Sequence, residues 1–243
     1  MTDTLTIPNE TLTIHVADGD FRAYVARPDT DAPSAVVVVL HEVFGVNADM
    51  RATCEELAAR GFIAICPDLF WRQMPGVDLS VTSEADWNTG LVLYMAYDRD
   101  AGVEDVTATI RAATKMRGST GKVAVLGYCL GGLMAFLTAA RGSVDAAVAY
   151  HGGDTERYLA EAGAITAPFL MHLAGDDQFI SMHAQEQIQA ALAGKRNVEI
   201  YSYPRCNHAF TRHGGLHYEP AAAIVANSRT WTFLANQLTD PSS

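Results

Sequence analysis

The chain has 243 residues, and at roughly 100–200 residues per domain this length predicts one domain spanning 1–243 with a sizeable core. With 49% hydrophobic and 19% charged residues it is not a mainly disordered chain, and a net charge of −11 disfavours nucleic acid or an anionic membrane as partner. Four cysteines, at 54, 66, 129 and 206, are too sparse for a disulfide framework and suit a reducing, cytoplasmic setting. Met1-Thr2-Asp3-Thr4-Leu5 lacks the basic and apolar runs of a secretory signal.

In chain order, residues 11–16 and 21–26 alternate in polarity and predict an antiparallel pair at one edge of a sheet. Later strand-like runs at 35–40, 63–66, 123–127, 146–150, 169–173 and 198–203 are more continuously apolar, as expected of strands covered on both faces. Helical patterns at 47–59, 103–116, 130–140, 182–192 and 220–238 fill the gaps. The alternation predicts an α/β protein with a doubly wound, mostly parallel sheet and helices on both faces. An excursion between 67 and 103 carries Phe70, Trp71, Trp87, Tyr94 and Tyr97, which suits either core packing around extra short helices or one wall of a pocket. Residues 123–140 carry no formal charge, but Gly127, Gly131 and Gly132 interrupt them, so they read as strand, turn and helix rather than a membrane span.

That turn, Gly127-Tyr128-Cys129-Leu130-Gly131-Gly132, has the pattern of a nucleophile elbow with Cys in the Ser position. A turn tight enough to raise one side chain above the sheet tolerates only small flanking residues, and the following helix offers its first amides to a thiolate or an oxyanion. A buried, inert cysteine in a glycine-rich turn is the bland alternative. A base and an orienting acid are expected later in the chain. Asp177, just after the strand 169–173, and His208, just after 198–203, occur in that order, with Asp176 the alternative acid. His41, His151 and His172 also lie at strand ends, where hydrogen-bonded structural roles are common. His208, His213 and His217 lack the helical spacing of a metal motif, so neither metal nor cofactor is expected.

These segments resemble the dienelactone hydrolases, or carboxymethylenebutenolidases, of the α/β-hydrolase superfamily. The resemblance rests on residues 41–47 (HEVFGVN), 66–69 (CPDL), 127–132 (GYCLGG), 175–179 (GDDQF) and 208–212 (HAFTR). It implies Cys129 as nucleophile, His208 as base, Asp177 as its orienter and Glu42 beside the thiol. It implies the Val43 and Leu130 amides as oxyanion hole and Arg212 gripping a substrate carboxylate; Trp87, Phe44 and Tyr94 are further candidate substrate contacts. An ungapped reading puts Trp87 where the family carries a second arginine, unless Arg99 or Arg72 serves instead, and Ala209 stands where a hydroxyl residue is usual. One arginine rather than two predicts that uncharged lactones or esters are turned over at least as well as anionic ones. The expected activity is opening of a lactone or small carboxylic ester through a thioester on Cys129, in a monomer or small homo-oligomer. A hydrolase for uncharged or larger esters and a noncatalytic ligand-binding member of the fold are the rivals.

Overall fold

The computed structural model describes residues 9–239. Its strands are β1 Asn9–Val16, β2 Gly19–Ala26, β3 Ser34–Leu40, β4 Ile63–Pro67, β5 Ser119–Tyr128, β6 Ala146–Tyr150, β7 Phe169–Ala174 and β8 Val198–Tyr203. Its helices are α1 Ala48–Ala59, α2 Glu84–Ala96, α3 Arg99–Lys115, α4 Leu130–Arg141, α5 Met182–Leu192 and α6 Pro220–Leu238, with a 3₁₀ helix over Thr155–Ala164. The strands form one sheet in the order β1-β2-β4-β3-β5-β6-β7-β8. β2 pairs antiparallel with both β1 and β4, and the remaining pairings are parallel. This is the α/β-hydrolase arrangement with an antiparallel N-terminal edge.

Burial follows the pattern of the sequence. Every residue of β3, β4, β6 and β7 is buried, because helices cover both faces of the central sheet. One core layer packs α3, α4 and α5 on the sheet, and the other packs α1 and α6. Cys54 and Cys66 lie in the second layer as free, buried thiols. β8 departs from the expectation of a continuously buried run: as the edge strand it leaves Glu199 and Ser202 exposed. No helix among the described residues is long and apolar enough to cross a membrane.

Three stretches differ from the expected elements. The excursion after β4 contains the regular helix α2, whose Ser83 cap accepts the Asp86 amide at 3.2 Å. α3 starts at Arg99, not 103, because the Asp98 carboxylate caps it by accepting the amides of Asp100 and Ala101. The 3₁₀ helix has no counterpart in the expected pattern, since ten residues with mixed polarity carry no clear period.

Candidate active site

β5 ends in a turn that leaves Cys129 at φ 54° and ψ −115°, a conformation rare for any residue but glycine. Neighbouring glycines make this possible. A Cβ on Gly127 would lie 1.8 Å from the Gly131 carbonyl oxygen, and one on Gly131 would lie 2.0 Å from that of Leu40. The Cys129 amide donates to Tyr150 O at 3.1 Å and that of Gly131 to His41 O at 3.1 Å, tying the elbow to β6 and to the end of β3. Cys129 is the one partly exposed cysteine among the described residues. Leu130 opens α4, so its amide has no acceptor within the helix, and Val43 lines the same cleft as Cys129.

His208 follows β8 and Asp177 follows β7. Nδ1 of His208 lies 2.9 Å from Oδ2 and 3.1 Å from Oδ1 of Asp177. The carboxylate is fixed in turn, because Oδ1 accepts the Phe179 and Ile180 amides at 2.9 and 3.2 Å. Asp176 is exposed, and it is Asp177 that meets the His208 ring. Burial alone would lower the His208 pKa, but the Cys129 sulfur and the Asp177 carboxylate outweigh it and push the imidazole up to about 10. Phe179 meets the His208 ring edge-on at 4.9 Å, and His151 packs against it at 4.5 Å.

Glu42 is buried, and both its oxygens accept from Arg212: Nε to Oε2 at 2.7 Å and Nη2 to Oε1 at 2.9 Å. Burial acts to lower the Arg212 pKa, but the Glu42 carboxylate bound to it outweighs this and holds the guanidinium charged. Behind this pair, Asp49 is raised to about 6 by burial and by Glu42. Two clefts flank the stacked rings of Trp87 and Phe179, whose centroids are 5.8 Å apart. One, of about 350 Å³, is lined by Cys129, His208, Val43, Tyr94, Arg99 and Arg157 among others. The other, of about 300 Å³, is lined by Phe44, Ala209 and Arg212, and also reaches His208.

The expectation of a single pocket arginine is thereby corrected. The turn between α2 and α3 brings Arg99 to the Cys129 cleft, with Nη1 donating to Tyr97 O at 2.7 Å, and the 3₁₀ helix brings Arg157. Arg72 is elsewhere, bound to Asp105 and Asp18. Of the excursion's aromatics, Phe70 and Tyr97 are buried core and Trp87 and Tyr94 line the cleft, so both readings of that segment hold, for different residues.

The other histidines sort by their partners. His41 accepts the Leu69 amide through Nε2 at 2.9 Å, so Nδ1 donates to Glu42 O, and His172 is held between Tyr203 and Thr230. Burial lowers both. His213 packs on Tyr218 and His217 contacts His208 O, and no cluster among the described residues is placed to hold a metal ion. Sequence reasoning missed Asn207, whose Oδ1 accepts the amides of Gln178 at 3.0 Å and His208 at 2.7 Å and so ties the acid loop to the base loop. It also missed Asp154, described below. Adjacency of Asn207 to His208 was the available signal.

Residues 21–238 match the dienelactone hydrolase family. The chain belongs to that family. It is similar to the carboxymethylenebutenolidase of Pseudomonas putida, 39% identical over 227 residues covering 93% of this chain and 96% of the relative. A protein of Azospirillum brasilense, provisionally given the same name, is 42% identical over 91% of this chain and 95% of its own. Among solved structures, one from Klebsiella pneumoniae, provisionally described as a dienelactone hydrolase, superposes with a TM-score of 0.84 at 26% identity, covering 95% of this chain and 99% of that one.

Proposed function

We propose that this family member hydrolyses a lactone or small carboxylic ester through a thioester on Cys129. The observation that carries the reading is the hydrogen bond from His208 Nδ1 to Asp177, which leaves Nε2 as the ring nitrogen not engaged by the carboxylate, in a histidine that lines the same cleft as Cys129. Asp177 fixes the tautomer, His208 holds the thiol proton, and the sulfur attacks the carbonyl carbon. The Leu130 and Val43 amides face the oxygen that becomes negative. As the C–O bond breaks, His208 returns the proton to the leaving oxygen; it then takes one from water, whose oxygen displaces the thiol and releases the acid.

The resemblance puts Glu42 beside the thiol, where a free carboxylate is a candidate to take the first proton. Here both Glu42 oxygens are committed to Arg212, so His208 is the better-placed acceptor and the Glu42–Arg212 pair supports the elbow electrostatically. With Nε and Nη2 of Arg212 engaged by Glu42, a substrate carboxylate can make the two-nitrogen grip on that edge only by displacing Glu42. The test is intact-protein mass spectrometry during turnover of an activated aryl ester. An acyl mass added to the wild type and missing in Cys129→Ala supports the mechanism; turnover by Cys129→Ala above a few per cent of wild type would overturn it.

A further inference from the structure

Asp154 precedes the 3₁₀ helix yet its side chain caps no amide, and its backbone holds a left-handed φ of 65°. Aspartate at such a position ordinarily accepts the helix's first free amides. Here the carboxylate turns to the Cys129 cleft instead. Oδ2 accepts from the Tyr94 hydroxyl at 2.5 Å and lies 3.6 Å from Arg99 Nη2, while Oδ1 lies 3.0 Å from Arg157 Nε. Arg99 also lies over the Tyr94 ring at 4.9 Å. Tyr94, Arg99 and Arg157 line the same cleft as Cys129, so the cluster and the elbow face one space.

Charge and lining say what this cluster suits. Two guanidiniums against one carboxylate leave one positive charge uncompensated, in a chain whose net charge is −11. Arg157 is 72% exposed and engages Asp154 through Nε, which leaves its two terminal nitrogens for an incoming anion. Asp154 is the one acidic residue lining this cleft, and beside the cluster the walls are apolar: Leu91, Met95, Tyr158 and Phe179.

We propose that Arg99 and Arg157, held apart by Asp154, form a carboxylate-binding subsite of the Cys129 cleft. The favoured substrate is then an amphipathic ester or lactone whose carboxylate is separated from the scissile carbonyl by an apolar body. The subsite rests on the reading of Cys129 as nucleophile.

The experiment compares the 4-nitrophenyl monoester of pimelic acid with its twin methylated at the far carboxyl, following nitrophenolate release and the mass added to Cys129. Wild type should favour the anionic ester by tenfold or more in kcat/KM. Arg99→Gln and Arg157→Gln should each lower that preference roughly tenfold, mainly through KM, the loss expected of one charge-assisted contact. Arg157→Lys should restore part of it. Arg157 is exposed, so its variants keep the question answerable if Arg99→Gln fails to fold. A wild type that favours the neutral twin, or a preference unchanged within twofold in Arg157→Gln, overturns the subsite. Equal acylation of Cys129 by both twins sinks the subsite alone, whereas no adduct from either removes the nucleophile reading beneath it.

Discussion

Arg212 reaches back across 170 positions of sequence to clasp Glu42 with two nitrogens, at 2.7 and 2.9 Å. The pair is nearly enclosed, with side-chain exposures of 13% and 4%. Removing one partner therefore leaves a buried charge uncompensated, at a cost of about 3–5 kcal/mol. Arg212→Leu is expected to lower the melting temperature by several degrees, and Glu42→Gln with Arg212→Leu together to recover most of it. Arg212→Lys keeps the charge but loses the fork, so it should melt close to wild type while kcat falls roughly tenfold. A double-mutant cycle in thermal unfolding and kcat checks this; additive losses would mean the pair is not coupled.

The imidazole of His208 carries its own pH signature. Its folded pKa, about 10, lies above the value near 6.5 of an unfolded histidine. The stability it contributes is therefore fully present below pH 6.5 and lost as pH rises through about 10. In Cys129→Ala one cause of the raised value is gone, so His208 should titrate at lower pH and the alkaline loss of stability should shrink. Imidazole NMR titration and urea unfolding between pH 6 and 10 measure both. Identical titration in the two proteins would separate His208 from Cys129.

Asp177 and Asp176 should part company sharply. Asp177→Asn breaks the bond that sets the His208 tautomer and should cost roughly 10³–10⁴-fold in kcat, while Asp176→Asn, at an exposed carboxylate, should stay within twofold. Steady-state kinetics of the two proteins decides. A larger loss at Asp176 would transfer the orienting role.

Gly90 on α2 packs against the loop after β3 so closely that a Cβ there would lie 2.5 Å from the Val43 carbonyl oxygen, and Val43 is the proposed second donor to the oxyanion. Gly90→Ala must therefore displace either the helix or the loop. We expect kcat to fall tenfold or more with circular dichroism unchanged, because the amide of Val43 moves relative to Cys129. Activity within twofold of wild type would show that Val43 does not bind the developing charge.

Much of this was legible in the sequence, for identifiable reasons. The buried strands announced themselves because β3, β4, β6 and β7 are covered on both faces and need apolar side chains at nearly every position. The elbow was legible because its sterics exclude every residue but glycine at 127 and 131, leaving a pattern readable without coordinates. What stayed hidden depends on approach between distant segments. Nothing near Asp154 reveals that it forgoes a cap to meet Tyr94, sixty positions earlier, or that Arg99 and Arg157 meet around it. α2 was obscured because it serves two masters, with Leu93 turned to the core while Leu91, Val92 and Met95 stay exposed, so its apolar residues trace no single stripe.

The Trp87–Phe179 stack has a consequence for traffic. Its rings come from α2 and from the loop after β7, neither anchored within the sheet, and they form a septum between two compartments that both open onto His208. If the cycle runs through a thioester as proposed, an acyl chain on the cysteine side would leave the second compartment, also lined by His208, as a separate route for the water that ends the cycle. Trimming either ring would merge the compartments and oblige both to share one doorway.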